Sequence, residues 1–344
     1  MNHLEPPAQW LVHMRAALKL ATDASAPRGE NPRVGCVIVD DSGHVVGTGF
    51  HLGAGTAHAE VVALAAAGEQ ARGATAFVTL EPCRHTGRTG PCTQALIDAG
   101  VSRVIIAMLD PTEQAGGGSA ELEAAGIEVF SGVLADESRA INDEWDYACR
   151  AGRPFVIAKT AMSLDGRVAG SGGVPLAISG PDSLTFAHRC RAEVQAIIVG
   201  TGTVLADDPE LTIRRGVNIV GDPPLRVVVG GRPVPLNARI RNDAAPTWIA
   251  GAISPRVVLA ELFVRGVRSV LIEGGPTLLQ SFIDEDLVDR YLWFIAPTLI
   301  GTGPTALAAM EAAVGVTVRS VRVLGEDMCI TAEPRRLAPD LFKE

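Results

Sequence analysis

Aromatic side chains are scarce, at 4% of 344 residues, and only two of them are Tyr. That shortage argues against an aromatic-rich binding surface. It favours sheets and helices packed closely through Ala, Gly and Val. Basic residues are also in deficit, 30 against 39 acidic ones, for a formal charge of −9. A protein that grips nucleic-acid phosphates needs a cation for each one it neutralises, so this balance favours a small-molecule substrate over nucleic acid. No uninterrupted apolar run is long enough to span a bilayer. Pro6-Pro7 and the amphipathic stretch after them lack a signal-peptide core, so no membrane partner and a cytoplasmic location are expected. The six cysteines do not form the dense pattern of a disulfide scaffold. Cys36, Cys149, Cys190 and Cys329 read as buried small hydrophobes, which leaves Cys83 and Cys92 to be explained.

The chain is too long for one ordinary core, and two domains are expected, 1–150 and 151–344, joined near Ala151-Gly152-Arg153-Pro154. Apolar residues at helical spacing predict a first helix over Trp10–Ala21. Val34–Val39 and Val45–Gly49 read as a strand pair turned at Asp41-Ser42-Gly43. Further strands are predicted at Ala76–Leu80 and Val104–Met108, with helices at Ala59–Gln70, Thr93–Ala99 and Leu134–Arg150. The second half repeats the alternation. Its strands fall at Phe155–Lys159, Val194–Gly200, Leu225–Val229, Ser269–Glu273 and Tyr291–Ile295, and its helices at about Gly180–Arg191 and Pro276–Ile283. Both halves are therefore α/β.

His58-Ala59-Glu60, followed by Pro82-Cys83 and Cys92, carries the clearest chemistry. One imidazole and two thiolates are three ligands of a tetrahedral zinc, and three ligands leave a fourth position for water. Such a metal lowers the pKa of its water toward neutrality. Glu60 is then the acid/base beside that water. His-x-Glu with Pro-Cys-x-x-Cys is the signature of zinc deaminases, and here eight residues separate the two thiols. Cys92 precedes a helix, where free N–H groups favour thiolate. His58 and Glu60 lie about 200° apart on a regular helix, so spacing alone does not bring them together. The alternative is a structural zinc with His85 as a fourth ligand, against which Glu60 and its flanking residues weigh.

Asn31-Pro32-Arg33-Val34-Gly35, the His58 motif and Glu81 through Cys92 together closely resemble the RibD family. The resemblance continues through Lys159–Gly166, Thr203–Pro209 and Glu273-Gly274-Gly275-Pro276, and so covers nearly the whole chain. It implies a bifunctional riboflavin-biosynthesis enzyme. The implied fold is a cytidine-deaminase-like three-layer domain followed by a dihydrofolate-reductase-like α/β domain. The implied chemistry is hydrolytic deamination of a 2,5-diaminopyrimidinone carrying a phosphoribosylamino group, then NADPH-dependent reduction of the ribosyl group to ribityl. One zinc per chain and NADPH are the implied cofactors, and a homo-oligomer, dimer or tetramer, the implied assembly.

By the same resemblance Asn31, His51, His85 and Arg88 contact the deaminase substrate, with Arg88 on its phosphate. Lys159, Arg191, Leu211, Arg214 and Glu273 line the reductase substrate, the two arginines suiting a phosphate by charge and fork geometry. Ala161, Thr203, Asp207, Gly275, Pro276, Thr277 and Leu278 fall on the cofactor, the last four at a helix start of the kind that receives phosphate. Asp165 reads as a turn residue. Three departures stand out. Gly90 replaces a usual Pro, and Gly230-Gly231 replace Asp-Ser. Pro175 and Ala177 replace a substrate-binding Ser and a cofactor-stacking Trp. The last pair motivates an alternative, an active deaminase with a non-catalytic reductase-like binding or scaffold domain.

Overall fold

The turn expected at Asp41-Ser42-Gly43 forms around the Asp40 carboxylate, which accepts the Ser42 and His44 amides and the Ser42 hydroxyl. Gly43 takes φ +86°, a left-handed value that costs glycine little. The turn joins β1 (Gly35–Val39) to β2 (Val45–Phe50) as an antiparallel pair. This hairpin belongs to a computed structural model that describes residues 6–23, 29–85, 90–214, 216–217, 222–308, 310 and 313–335. The chain divides into two units, Met1–Ala151 and Gly152–Glu344.

In the first unit α1 (Ala8–Ala21) precedes the hairpin, and α2 (Ala59–Ala67), β3 (Thr75–Leu80), α3 (Cys92–Ala99) and β4 (Arg103–Met108) follow it. After them come α4 (Gly118–Ala124), β5 (Glu128–Ser131), α5 (Ala135–Ile141) and α6 (Asp143–Ala151). The sheet runs β2-β1-β3-β4-β5, antiparallel at β2-β1-β3 and parallel beyond. Alternate strand residues serve opposite layers. Val37, Val39, Phe77 and Ile105 pack with Met14, Ala17 and Leu18 of α1. Cys36, Ile38, Ala76, Val78, Val104 and Ile106 pack with α2, with Leu96 of α3 and with Leu122 of α4. The result is a helix–sheet–helix sandwich of three layers.

Small residues set the position of α2. A Cβ on Gly47 would lie 2.2 Å from the Ala63 carbonyl oxygen, and one on Gly49 2.3 Å from that of Ala59. Glycine on the strand and Ala59, Ala63 and Ala67 on the helix therefore let the two backbones approach. Two helices differ from expectation. The α-helix after His58 ends at Ala67, and a 3-10 turn over Gly68–Ala71 completes it. The helix expected over Leu134–Arg150 is broken at Asn142, whose φ of −119° is not helical and whose side-chain amide pairs with both backbone groups of Arg33, at 2.8 and 2.9 Å.

The second unit comprises β6 (Phe155–Ser163), α7 (Pro181–Ala192), β7 (Ala196–Gly200), α8 (Thr201–Asp207), β8 (Leu225–Val229), β9 (Thr247–Gly251) and α9 (Pro255–Val264). It continues through β10 (Ser269–Ile272), α10 (Pro276–Asp284), β11 (Arg290–Ala296), β12 (Val316–Leu324) and β13 (Asp327–Pro334). Its sheet runs β12-β13-β11-β6-β10-β7-β8-β9, parallel from β11 to β9 and closed at the other edge by the antiparallel β12–β13 hairpin. Val258, Leu259 and Leu262 of α9 and Leu279 and Phe282 of α10 cover one face. Phe186 of α7 meets Phe294 of β11 on the other, ring centroids 6.0 Å apart. The central strands are covered on both faces, which is why they read as continuous apolar runs.

Candidate active sites

His58 stands at the N-cap of α2, Cys83 just after β3, and Cys92 at the first residue of α3. The three converge. His58 Nδ1 lies 3.2 Å from Cys92 Sγ and 3.5 Å from Cys83 Sγ, and the donor atoms all fall within 4.8 Å of one another. Ligands on a tetrahedral zinc stand about 3.5 Å apart, given Zn–N and Zn–S bonds of ~2.0 and ~2.3 Å. The donor set and spacing thus fit that ion. The two thiols respond to each other: a hydrogen bond from Cys92, with His58 adding to it, brings Cys83 down to about 4 despite burial, while Cys92 is pushed up. Two buried sulfurs this close share one proton, and a cation between them releases it.

Glu60 sits in the first turn of α2 and is 3% exposed. Burial raises its carboxyl to about 7, where a carboxylate can both take and return a proton. Beside His58, His51 donates from Nδ1 to the Ala57 carbonyl at 3.2 Å, and Asn31 donates its amide to His51 Nε2 at 3.0 Å. Burial lowers the pKa of His51, in keeping with this neutral tautomer. The His51 and His58 rings meet edge-on at 5.1 Å. His85 Nδ1 is buried and has no hydrogen-bond partner among the described residues. Arg88 lies outside the described residues.

Three residues that support this site escaped the sequence reading. Buried Glu81 accepts the Asp110 amide on one carboxylate oxygen and the Ser119 amide and hydroxyl on the other, fixing the segment that leads into Cys83. Asn142 holds Arg33, and Trp145 Nε1 donates to the Glu30 carbonyl at 3.1 Å, so the α5–α6 junction and α6 anchor the two flanks of Asn31-Pro32. Glu81 borders the Pro-Cys motif and was open to suspicion. Asn142 and Trp145 gave no local signal.

In the second unit, Lys159 on β6, Arg191 at the end of α7 and Glu273 after β10 come together. Arg191 donates from Nε and Nη2 to the two oxygens of Glu273 at 2.5 and 2.9 Å, and from Nη1 to the Thr212 carbonyl at 3.0 Å. Lys159 Nζ stands 3.7 Å from Glu273. Burial alone would raise the Glu273 carboxyl, but the Arg191 and Lys159 charges override it and hold it at about 2. Leu211 is buried and Arg214 is exposed, its guanidinium on Glu210 at 2.6 Å. His188, which the sequence reading missed, accepts the Arg214 amide at 3.1 Å.

Thr203 and the Gly275–Leu278 turn meet where β7 and β10 end. Thr203 Oγ1 accepts the Gly275 amide at 3.2 Å, and Leu278 packs against the main core beside Gly200 and Gly274. Among the described residues no side chain caps α10, which begins at Pro276; Leu278 and Leu279 donate to the Gly275 carbonyl, which leaves the Thr277 N–H and the positive end of the helix to face a phosphate. This turn fits a nucleotide cofactor. Ala161 lies half-buried on β6, whereas Thr277 and Asp207 are exposed. Pro175 and Ala177 lie in an exposed segment before α7. Asp165 accepts the Ile300 and Gly301 amides at 3.0 and 2.7 Å and the Ser163 hydroxyl at 2.6 Å, tying two loops together.

Residues 154–330 match the family model of the RibD C-terminal domain, and residues 9–108 match that of the cytidine and deoxycytidylate deaminase zinc-binding region. The riboflavin biosynthesis protein RibD of Mycobacterium tuberculosis is 48% identical over 278 residues, covering 80% of this chain and 81% of its own. That of Escherichia coli is 37% identical over 361 residues, covering 92% and 97%. Among solved structures, Acinetobacter baumannii RibD superposes with a TM-score of 0.88 at 36% identity, covering 95% of this chain and 99% of its own. A deaminase/reductase of Thermotoga maritima superposes with a TM-score of 0.82 at 30% identity, covering 95% and 99%. The chain belongs to the RibD family, the bifunctional zinc-dependent deaminases and NADPH-dependent reductases of riboflavin biosynthesis.

Proposed function

We propose that residues 1–150 deaminate 2,5-diamino-6-(5-phosphoribosylamino)pyrimidin-4(3H)-one and that residues 151–344 reduce the product's ribosyl group to ribityl. The observation that carries the first half is the gathering of His58, Cys83 and Cys92 donor atoms within 4.8 Å. They would hold one zinc, which when bound supplies the Lewis acidity that brings a water's pKa toward neutrality. Glu60 takes the proton of the attacking water and passes it to the departing ammonia, so an exocyclic amine is replaced by oxygen. Neutral His51 holds the Asn31 amide, leaving the Asn31 oxygen to accept from a ring edge. His85 and Arg88 complete the substrate contacts, with Arg88 on the phosphate.

In the second half, NADPH supplies the hydride. Ala161, Thr203, Asp207 and the Gly275–Leu278 turn are its contacts, with the uncapped start of α10 toward a phosphate. Arg191 uses three of its five N–H groups internally, which leaves one on each terminal nitrogen for the substrate phosphate, shared with Arg214. Glu273, held ionised, accepts from substrate donors, and Lys159 and Leu211 complete the wall. Cys83 and Cys92 must be reduced to bind metal, which favours a cytoplasmic location.

A homo-oligomer completes the reading. Val316, Val318, Val321 and Val323 pair opposite Pro334, Ala332, Ile330 and Met328, and the register shift after Val318 keeps all four valines on one face. That face is covered by α9 and α10 over the central strands but leaves Val323 74% exposed at the edge, a surface suited to a second copy.

Glu60→Gln tests the deaminase assignment. The variant is expected to retain zinc at one equivalent per chain and to lose ammonia release by about a thousandfold or more. Full activity in that variant would remove Glu60 from the proton transfer.

A further inference from the structure

We propose that Arg226 is a positioning residue for the reductase substrate loop, acting from beneath it without touching substrate. The proposal rests on the reading that Leu211 and Arg214 face the reductase substrate. Arg226 lies on β8 in the middle of an apolar strand and is 0% exposed. Among the described residues its guanidinium has no carboxylate partner. Nη1 donates to the Glu210 carbonyl at 3.1 Å and to Asn242 Oδ1 at 2.8 Å. Nη2 donates to the Asn242 carbonyl at 2.6 Å and to the Ala245 carbonyl. Burying a cation with carbonyls alone is unfavourable compared with an apolar side chain of similar size. The residue must therefore do something an apolar one cannot.

What it does is visible at Glu210. The residues that bracket it, Asp208 and Leu211, have φ of +39° and +53°, left-handed values that side chains with a Cβ rarely adopt. Such conformations persist only where the surroundings enforce them. Arg226 grips the Glu210 carbonyl between the two. The Glu210 carboxylate is gripped in turn by Arg239 at 2.7 Å and Arg214 at 2.6 Å, and the Arg239 amide donates to Asp208 at 2.8 Å. The far end of the loop is fastened to the site itself, by Arg191 at the Thr212 carbonyl and His188 at the Arg214 amide. The loop is thus stretched between two anchors. Arg226 is the buried one, and the Asn242–Ala245 turn before β9 is the frame it braces against.

The test uses the full-length zinc-loaded protein with Arg226→Lys, which keeps the charge but cannot reach all four acceptors, and Asn242→Ala, which removes one acceptor. Reductase kcat and KM, NADPH dissociation constant, ammonia release and amide hydrogen exchange are measured on each. Arg226→Lys is expected to raise reductase KM about tenfold, with NADPH affinity and ammonia release within about twofold of the parent. Exchange should quicken at 210–214. Asn242→Ala should shift KM and exchange the same way by about threefold. Unchanged KM in a folded Arg226→Lys overturns the proposal. If that variant does not fold, unchanged KM and loop exchange in Asn242→Ala overturn it. A parent protein that binds no NADPH and reduces nothing would instead remove the reductase reading, and this proposal with it.

Discussion

Arg191 and Glu273 form a two-point pair across 82 positions of sequence, Nε to Oε1 at 2.5 Å and Nη2 to Oε2 at 2.9 Å, with both side chains largely buried. The pair joins the end of α7 to the end of β10 and, through the Thr212 carbonyl, to the loop after α8. One ion pair therefore joins three separate segments of the reductase unit.

This pair predicts a pH signature. The Glu273 carboxyl is held at about 2, below its unfolded value of about 4.3, by charges that outweigh burial. Its contribution is full above the unfolded value and fades as pH falls toward the folded one. The stability difference between the parent and Glu273→Gln should be on the order of 3 kcal/mol at neutral pH and shrink between about pH 4 and pH 2. Denaturant titrations of both chains across that range check it. A difference that does not vary with pH would contradict the assignment.

Removal of metal should separate the two activities. A chelator that strips the His58–Cys83–Cys92 site is expected to abolish ammonia release and leave NADPH affinity within about twofold. Readdition of zinc should restore deamination. Loss of both functions together would show that the metal supports more than the deaminase.

Gly49→Ala should damage the deaminase from beneath. Its Cβ would meet the Ala59 carbonyl at 2.3 Å, in backbone that cannot yield without moving α2. A loss of about 1–3 kcal/mol is expected, with weakened zinc affinity, because His58 and Glu60 ride on that helix. Unaltered zinc affinity and melting would mean that α2 is not set by this contact.

Val321→Asp places a charge on the exposed valine face and is expected to lower the oligomeric mass in light scattering without loss of the deaminase site. An unchanged mass would locate the contact between copies elsewhere.

The strands and helices with unbroken periodicity were legible in the sequence, among them α1, β1, β3, β4, α3, β7, β8 and β11. The metal triad was legible because its motif is local at each ligand. Elsewhere, tertiary contacts overrode local pattern. The expected helix breaks at Asn142, the residue whose side chain holds Arg33, a partner 109 positions away. The register shift after Val318 interrupts the alternation of β12 and hid an edge hairpin. Arg226 in Leu225–Val229 looks like a surface residue, since an arginine in a strand ordinarily faces water, yet it is fully buried. The meeting of Lys159, Arg191 and Glu273 is equally invisible to spacing. Family resemblance named those residues, but not the fact that Arg191 gives two of its five N–H groups to Glu273 and a third to the Thr212 carbonyl.

The most direct measurement follows ammonia release and NADPH absorbance together, under anaerobic conditions, on the purified zinc-loaded chain supplied with the diaminopyrimidinone phosphate. Ammonia release followed by stoichiometric NADPH oxidation is the expected result, with Pro175 and Ala177 tolerated in the exposed segment before α7. Ammonia release with no NADPH oxidation, when an active reductase from another source completes the reaction, would contradict the bifunctional account and leave the second unit a binding or scaffold domain.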